Sequence, residues 1–458
     1  MAAGEGRLNP MRLTGTSVIV VGAGLAGLSA AVRLLKDGAR VTVVEAQDRV
    51  GGRVMTIRDV FAYGQHAEAG GDFIDHSQED IRYLADEYGL SVRPILRRGF
   101  SFVRYKDRGT ILGRPIKGER AWKPLMDQAK PWLDAYHRAE QRWESAVVRS
   151  LAQQSVAQWL DEIDADARMR AMVCGLRGFF LADPDDLSLL VLIEQLASEA
   201  PGQEAMGRIE GGNDRLPHAM ADELGEALHL NTVARAVRDE HSSLRVTVED
   251  AVGDRAQIKA DYVILAVPVT ALRAIEITPD LPPKQAKAFE RLKYGRVTKS
   301  SLQFSRRFWK RHGRSPAYGT DGPTGAIWDA NEEQRGPAGI LTFMAGGQAS
   351  EDTQKILAQD GVAGLVRALD WLKPGNAELL RHHHVTWEHD PWSQGGYAFF
   401  DPSFDPAWRP WLARPHGRML FAGEHTSIKW QGYMNGAVES GLRAAAEVWA
   451  LSSSAKRA

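Results

Sequence analysis

A glycine-rich turn between an apolar run and a helical pattern constrains the fold of this chain more than any other feature. The stretch is SVIVVGAGLAGLSAAVRLLKDGARVTVVE, residues 17–45. Residues 18–21 form a β-branched run typical of a buried parallel strand. Its three glycines have the spacing G-x-G-x-x-G and are Gly22, Gly24 and Gly27. Residues 25–36 then predict an amphipathic helix and residues 40–45 a second strand, so the stretch predicts a parallel βαβ unit of an α/β fold.

Each of these glycines suits the binding of a dinucleotide. The first permits the tight turn, the second lets the backbone approach a pyrophosphate, and the third allows close packing of helix on strand. The amino end of the helix offers free N–H groups to phosphate. Glu45 ends the second strand, where a carboxylate accepts hydrogen bonds from an adenosine ribose. The stretch therefore predicts the adenosine end of a dinucleotide and leaves nicotinamide or flavin open.

Two further glycine pairs favour a flavin. Gly51-Gly52-Arg53 follows the predicted ribose-binding acid, where a nicotinamide-binding fold normally continues into another helix. Such a turn brings backbone and a guanidinium to a second stretch of phosphate. Gly70-Gly71, in EAGGDFI, suits backbone that lies close to a flat ring.

This series of motifs resembles the flavin-containing amine oxidase family, which includes monoamine oxidases, polyamine oxidases and L-amino-acid oxidases. The resemblance extends over nearly the whole chain and implies FAD as the cofactor. It also implies a Rossmann-like FAD-binding domain made of residues 11–78, 206–278 and 391–458. An α+β substrate domain, a mixed sheet flanked by helices, is interleaved with it and comprises a helical part, 79–205, and a part with sheet and helices, 279–390.

The resemblance assigns a set of residues to the cofactor. These are Gly22, Gly24, Ala26, Gly27, Glu45, Ala46, Gly52, Arg53, Gly70, Gly71, Asp72, Phe73, Val233, Val267, Trp392, Gly423, Glu424, Gly432, Tyr433, Met434 and Ala437. Val233 matches a position whose backbone faces the adenine, and Glu424 matches the acid that contacts the ribityl chain. The family places the amino end of the helix in GYMNGAVESGLRAA under the flavin, where its dipole stabilises negative charge on the reduced ring.

Gly396, in WSQGGYA, is a departure from part of the family. It occupies the place at which animal monoamine oxidases carry the cysteine that attaches FAD covalently. Glycine has no nucleophile, and the single cysteine, Cys174, lies far away in sequence. The sequence therefore predicts noncovalent FAD.

Three residues match the family's catalytic positions. Tyr397 and Tyr433 match a pair of aromatic side chains that stand roughly perpendicular to the flavin and guide an amine to it. Lys299 matches a lysine held through a water near flavin N5, where it assists reoxidation by oxygen. The implied reaction transfers a hydride from a neutral amine to N5. The imine hydrolyses to an aldehyde or ketone, and oxygen is reduced to hydrogen peroxide.

The substrate-binding residues are less defined. Ile74, Asp75 and His76 follow the second glycine pair, where relatives differ and line the substrate entrance; the acid could equally cap the following helix. Arg177 and Phe180, in RGFF, are candidates for the cavity, and the guanidinium could hold a substrate carboxylate.

Three alternative functions remain open at this stage. The first is an L-amino-acid oxidase on the same fold. The second is a flavin desaturase or isomerase acting on an apolar molecule through a long apolar tunnel. The third is a flavoprotein that binds partners without turnover, against which the lysine and the tyrosine pair argue.

Composition limits the partners and the compartment. The formal net charge of −1 provides no field that recruits nucleic acid or an anionic membrane. No uninterrupted run of about 18 apolar residues occurs, and residues 1–15 lack the apolar core of an export signal. A lone cysteine suits a reducing cytosol, so we expect a cytoplasmic protein, with a homodimer as one candidate assembly. Adjacent histidines at 382–384 do not converge on one ion in a strand or helix, and we predict no metal site.

Overall fold

The structure is a computed structural model that describes residues 13–97, 99–107, 109–140, 142–143, 145–198, 206–310 and 317–455. Most of the amino-terminal segment in which we predict no export signal lies outside the described residues. The same holds for the predicted end of the helical part at residue 205.

Strands and helices alternate along the chain. The strands are β1 Ser17–Val21, β2 Arg40–Val44, β3 Thr56–Ile57, β4 Ala67–Glu68, β5 Val92–Pro94, β6 Ser101–Tyr105, β7 Ile111–Lys117, β8 Gly207–Ile209, β9 Leu228–His229, β10 Val233–Asp239, β11 Leu244–Glu249, β12 Arg255–Ala260, β13 Tyr262–Leu265, β14 Glu276–Thr278, β15 Lys293–Tyr294, β16 Val297–Phe304, β17 Ala317–Thr320, β18 Ala326–Asp329, β19 Gly339–Gly346, β20 Leu379–Thr386, β21 Ala398–Phe399 and β22 Met419–Phe421. The α-helices are α1 Leu25–Lys36, α2 Glu79–Glu87, α3 Gly118–Arg138, α4 Ala146–Ala152, α5 Val156–Glu162, α6 Ala167–Cys174, α7 Arg177–Phe180, α8 Leu189–Ser198, α9 Arg215–Leu224, α10 Val269–Leu272, α11 Pro283–Arg291, α12 Gln348–Arg367 and α13 Met434–Ala455.

The chain divides into two compact units, each made of separate stretches. Unit 1 comprises Met1–Gly52, Leu216–Phe289 and Pro410–Ala458, and unit 2 comprises Arg53–Arg215 and Glu290–Arg409. As in the predicted domains, stretches of the two units alternate along the chain, but the boundaries between stretches lie at other residues. Residues 53–78, for example, group with unit 2. Which stretches act as FAD-binding and substrate domains stays a prediction.

Unit 1 contains the predicted parallel sheet. Its five strands have the order β22-β13-β1-β2-β9, and every neighbouring pair is parallel. The central strand β1 is a β-branched run that is almost wholly buried, as a strand covered on both faces requires. Helix α1 spans the predicted residues and packs against α13. A Cβ built on Gly441 of α13 would lie 2.2 Å from the carbonyl oxygen of Ala26 in α1, so these helices approach at a position where no larger side chain fits. A second sheet, β12-β11-β10-β14, completes the unit.

Unit 2 is built on a seven-stranded mixed sheet with the order β20-β16-β19-β18-β17-β6-β7. All eight residues of β16 are buried between antiparallel neighbours β19 and β20. Helices α3 to α8 enclose a separate apolar core that includes Leu125, Leu151 and Trp159. The fold is therefore an α/β Rossmann-like unit interleaved with an α+β unit, as predicted.

One sequence-based expectation for unit 2 is too simple. Residues 79–205 were expected to be helical, yet they contain β5, β6 and β7. Strand β6 pairs in parallel with β17, where Ser101 lies opposite Tyr318. Pairing over more than two hundred residues leaves no local signal, which is why the charged pattern alone suggested helices. None of the described helices combines the length and the apolar character needed to cross a membrane.

Candidate functional site

The glycine-rich turn of unit 1 has the geometry expected of a phosphate-binding loop. Gly22 has φ +100°, and a Cβ there would lie 2.8 Å from the carbonyl oxygen of Ala266. A Cβ on Gly27 would lie 1.9 Å from the Gly22 carbonyl oxygen, so the third glycine allows the helix to approach the turn. Gly24 differs, because no described protein atom lies within 4 Å of a Cβ built there. Gly24 is also the N-cap of α1 and supplies no side-chain cap. The amino end of α1 is therefore open to a ligand at the second glycine.

Glu45 directly follows β2, beside this turn, and is almost fully buried. Its carboxylate accepts hydrogen bonds from the backbone N–H groups of Ala23, at 2.6 Å, and Gln47, at 2.9 Å. Burial raises the pKa of Glu45 above its ordinary value, although these N–H groups favour the charged form. The backbone N–H of Thr232 donates to the Glu45 carbonyl oxygen at 2.7 Å, which brings the start of β10, Val233, next to the end of β2.

The remaining cofactor candidates of this first half lie around the same turn. The Cγ1 atom of Val267 is 3.1 Å from a Cβ built on Gly22. The N–H of Gly51 donates to the carbonyl oxygen of Ala23 at 2.9 Å, and Gly52 lies close to Gly24. Ala26 is buried in α1, and Ala46 is half-buried directly after Glu45. Unit 1 thus brings together residues that the sequence separates by more than two hundred positions.

The carboxy-terminal candidates also converge within unit 1. Glu424 is buried, and its Oε2 accepts a hydrogen bond from the N–H of Gly432 at 2.9 Å. The N–H of Gly423 donates to the hydroxyl of Ser440 in α13 at 2.9 Å. Met434 is the first residue of α13, and Ala437 lies one turn later. Tyr433, just before this helix, is half-buried and packs edge-on against Trp430 with 5.8 Å between ring centroids.

A buried cluster of charges surrounds Lys299 in unit 2. The Nζ of Lys299 donates to the carbonyl oxygen of Gly70 and to Oδ2 of Asp72, both at 2.9 Å. Oδ2 of Asp72 also accepts the indole N–H of Trp328 at 3.1 Å, and Oδ1 accepts two N–H groups of Arg208. The side chains of Lys299, Asp72 and Arg208 are each at most 4% exposed. Charges so far from water require such pairing.

The charges in this cluster set one another's protonation. Burial alone would raise the pKa of Asp72, but the charges of Arg208 and then Lys299 hold that pKa below its ordinary value. Glu68 has the opposite balance, because burial and then the charge of Asp72 raise its pKa to about 8. Glu68 accepts hydrogen bonds from the Thr56 hydroxyl at 2.8 Å and the Asn213 N–H at 3.0 Å. At neutral pH the cluster therefore contains an ionised Asp72 beside a protonated Glu68.

The second glycine pair is held tightly against its surroundings. A Cβ on Gly70 would lie 2.0 Å from the carbonyl oxygen of Arg53, and the N–H of Gly71 donates to that oxygen at 2.9 Å. The side-chain amide of Asn213 donates to the carbonyl oxygens of Gly71 and Asp72. The indole of Trp387 donates to the carbonyl oxygen before the pair, that of Ala69, at 3.0 Å. This segment is fixed by contacts from the nearby Arg53 and from two distant parts of unit 2.

Arg53 and Tyr397 lie on the same part of unit 2. The guanidinium of Arg53 donates to the carbonyl oxygen of Gly396 at 2.5 Å. The hydroxyl of Tyr397 donates to the carbonyl oxygen of Phe179 in α7. At Gly396 a Cβ would lie 2.4 Å from Cδ1 of Leu181, so the backbone is closely covered there. Trp392 is half-buried in the preceding turn, where its N–H donates to Asp390.

The tentative substrate residues differ in how deeply they are buried. Ile74 is fully buried and forms a β-bridge with Gly207. The preceding residue Phe73, a cofactor candidate, is half-buried against Trp328 with 5.1 Å between ring centroids. Asp75 is buried and accepts the side-chain amide of Gln78 at 3.0 Å. His76 is exposed, and Phe180 is half-buried against the helical core of unit 2.

Arg177 is engaged by protein groups. Its guanidinium pairs with Asp183 at 3.1 Å and donates to the carbonyl oxygens of Cys174 and Asp321 at 3.1 and 2.8 Å. All three donor nitrogens therefore have acceptors within unit 2. A substrate carboxylate would compete with these bonds.

The adjacent histidines lie on β20. The rings of His382 and His384 are 5.0 Å apart between centroids, and His383 lies between them in the strand. Burial, followed by the neighbouring histidines, lowers the pKa of His384 to about 4. Within the described ranges, no group of three or more potential His, Cys, Asp or Glu ligands is placed to hold a metal ion.

Sequence reasoning missed several residues that hold the candidate site. Arg208 follows a glycine in a short strand, and its buried guanidinium pairs with two distant acids, Asp72 and Glu333. Trp328 and Trp387 resemble core residues in the sequence, yet both donate indole N–H groups to the segment that contains the second glycine pair and Asp72. The signal that the sequence offered for this network was an arginine between a glycine and an isoleucine in a short strand.

Comparison with known proteins identifies the family of the chain. The family model described as flavin containing amine oxidoreductase matches residues 25–449. The chain belongs to this family. It is therefore an oxidoreductase, and the cofactor that the family implies is FAD. The space beside Gly24 at the amino end of α1 and the buried carboxylate of Glu45 fit that cofactor.

The relatives include both amine and amino-acid oxidases. A Mycobacterium tuberculosis protein named as the flavin-containing monoamine oxidase AofH is 29% identical over 452 residues, which cover 95% of this chain and 96% of that protein. An L-amino-acid oxidase of Bungarus fasciatus is 28% identical, with 94% and 86% covered. Among solved structures, wild-type putrescine oxidase bound to putrescine has a TM-score of 0.81 and 26% identity, covering 95% of this chain and 99% of that one.

Proposed function

We propose that this protein is an FAD-dependent oxidase of small-molecule amines that converts the amine to an imine. Water hydrolyses the imine to an aldehyde or ketone. Bound FAD supplies the hydride acceptor, and its reoxidation by O2 yields hydrogen peroxide. The cytoplasm is the proposed location, because a single cysteine suits a reducing compartment.

The chain's own residues bind and orient the reactants. The turn at Gly24 and the amino end of α1 would hold the pyrophosphate, with Glu45 at the adenosine ribose. Tyr397 and Tyr433 are assigned to guiding the amine. The first is fixed through its hydroxyl, and the second by its edge-on contact with Trp430. Lys299 is assigned to the oxygen step, where its ammonium would hold a water.

Noncovalent FAD is part of the proposal. A cysteine at position 396 would place its Cβ within 2.4 Å of Cδ1 of Leu181 and 2.8 Å of Cγ1 of Val297. The backbone here is packed for glycine. This close packing supports a flavin that is held by contacts and released on denaturation.

The engagement of Arg177 is the observation that favours amines over amino acids. This guanidinium was the candidate for a substrate carboxylate, and its donors already pair with Asp183 and two backbone carbonyls. Removing it from that ion pair would leave Asp183 without its partner in a largely buried site. An amine without a carboxylate can bind while the ion pair between Arg177 and Asp183 stays intact.

The experiment is a substrate screen with a cofactor assay. The purified protein is precipitated with acid, and peroxide is measured with amines and with the matching amino acids. We expect yellow colour in the supernatant and peroxide from amines. Colour that stays in the precipitate would contradict noncovalent attachment. Peroxide from amino acids but not from their decarboxylated amines would establish the L-amino-acid oxidase alternative, and no peroxide from either class would contradict an oxidase.

A further inference from the structure

The ammonium of Lys299 is fixed in direction by its hydrogen bonds. Two of its three N–H donors go to the Gly70 carbonyl oxygen and to Asp72, each at 2.9 Å. The Trp328 ring lies 5.2 Å from Nζ. Because the three donors are tetrahedrally arranged, two fixed bonds determine where the third points. Among the described residues no acceptor is assigned to that third donor, which leaves it for a water or a ligand.

Asp72 is in turn held from the opposite side. Its Oδ1 accepts Nε of Arg208 at 2.9 Å and Nη2 at 2.5 Å, while Oδ2 serves Lys299 and Trp328. Arg208 also donates to the Ala330 carbonyl oxygen at 2.6 Å and pairs with Glu333 at 3.2 Å. A planar guanidinium that contacts one carboxylate oxygen with two donors, and is tied to backbone at its third nitrogen, restricts the rotation of that carboxylate.

We propose that Asp72 is a positioning residue for Lys299, and that Arg208 orients Asp72 for this role. The inference rests on the proposed function, in which Lys299 serves the reaction of the reduced enzyme with oxygen. Asp72 acts through the lysine: it fixes the direction of the third N–H and keeps the ammonium against the Gly70 carbonyl oxygen. Charge compensation alone would not need this geometry. The Oδ1 atom of the carboxylate accepts from Arg208, and its Oδ2 atom accepts from Lys299 and Trp328.

Unit 2 contains a second buried aspartate with a lysine and a tryptophan as partners, and this aspartate serves as a control for Asp72. Asp329 is fully buried and accepts the indole N–H of Trp309 at 2.9 Å and the ammonium of Lys310 at 3.0 Å. A lysine and a tryptophan are thus shared partner types, whereas the arginine that pairs with Asp72 has no counterpart here, and the lysine is 36% exposed. Asp329→Asn therefore reproduces the loss of a buried carboxylate from a Lys–Trp pair without touching Lys299.

The test compares the two halves of the reaction by anaerobic stopped-flow spectroscopy. The variants are Lys299→Met, Asp72→Asn, the double variant of these two, and Asp329→Asn. We expect Lys299→Met to slow reoxidation by O2 at least tenfold, and Asp72→Asn at least fivefold. Both should change flavin reduction by amine less than threefold. The double variant should be no slower than Lys299→Met within twofold, because Asp72 acts only through the lysine. Asp329→Asn should stay within twofold of the unaltered protein in both steps.

A second readout does not depend on turnover. Methyl acetimidate amidinates accessible lysines, and peptide mass spectrometry measures the rate at Lys299 in the purified holoenzyme. Asp72→Asn should raise this rate at least threefold, whereas Asp329→Asn should leave the rate at Lys299 unchanged. If Asp72→Asn does not fold because Arg208 loses its partner, Asp72→Asn combined with Arg208→Gln removes both charges together, and the same rates are expected.

The outcomes separate this inference from the proposed function. If no amine reduces the flavin of the unaltered protein, the proposed function fails. If amines do reduce it and Lys299→Met slows reoxidation, but Asp72→Asn behaves as Asp329→Asn does, the positioning role is overturned. Additive effects in the double variant, or a Lys299→Met protein with normal reoxidation, would overturn it as well.

Discussion

Glu68→Gln should raise the free energy of unfolding above that of the unaltered protein, by an amount that grows as the pH rises from 5 to 8. Glu68 is fully buried, and its pKa of about 8 means that the folded state retains a proton the unfolded chain has lost. Gln has the same shape and no charge. Its amide oxygen can accept from the Asn213 N–H. Its NH2 group would take the place of Oε2, which accepts the Thr56 hydroxyl, and that hydroxyl can turn to accept instead.

The magnitude follows from the two pKa values. With an ordinary value of 4.5 in the unfolded chain and about 8 in the folded protein, the folded state binds one more proton between these limits. The free energy of unfolding of the unaltered protein then falls by about 1.4 kcal/mol for each pH unit in this window. The contribution is fully present below pH 4.5 and is lost as the pH rises through 8, which amounts to about 5 kcal/mol in all.

The assay is urea unfolding followed by tryptophan fluorescence at half-unit steps from pH 5 to 8.5. The quantity compared is the difference in the free energy of unfolding between Glu68→Gln and the unaltered protein, because other titrating groups cancel in it. This difference should grow by about 3 kcal/mol between pH 5.5 and 7.5 in favour of the variant. A difference that stays flat with pH would refute the buried, protonated state of Glu68. A difference that shrinks would indicate that the acid is ionised and stabilised.

Four other substitutions test the site. Gly24→Ala should leave the unfolding midpoint within 1 °C in the apoprotein but weaken FAD binding in a fluorescence titration, whereas Gly27→Ala should cost about 1–3 kcal/mol of stability, since its Cβ meets backbone. Equal loss of stability in both would contradict the open second glycine. Arg177→Met should destabilise the protein by about 3 kcal/mol through Asp183, with the ratio of amine to amino-acid turnover unchanged in the peroxide assay. A tenfold change in that ratio would indicate that Arg177 binds the substrate. Gly396→Cys should lower the unfolding midpoint and leave flavin releasable by acid; retained colour would contradict the close packing.

The parts of the site that were predictable are those with short-range signals. The spacing of the glycines and the apolar runs on either side identify β1, α1 and β2, because a turn, a helix period and a strand period are local properties. Lys299 could be predicted from the sequence for another reason, since small and apolar residues surround it in its strand. A lysine in a strand whose eight residues are all buried needs a partner.

The partners themselves were not predictable, because each is a long-range contact. Nothing near Arg208 in the sequence indicates that it meets Asp72, and nothing near Trp387 indicates that it meets the carbonyl oxygen of Ala69. The same reason explains the domain divisions. Residues 53–78 carry cofactor-type glycines, yet their hydrogen bonds to Asn213 and Lys299 group them with unit 2.

The division of unit 1 into three stretches has a consequence for synthesis on the ribosome. Strand β22 and helix α13 are made long after β1 and α1, yet β22 is an edge of the parallel sheet and α13 covers α1 near Ala26. The βαβ stretch at residues 17–45 must therefore wait for α13 before its helix is covered. Contacts of such high sequence separation form slowly, and chains that stop before α13 expose the apolar face of α1. The nascent chain therefore carries an apolar helix face that is protected only once α13 has been made.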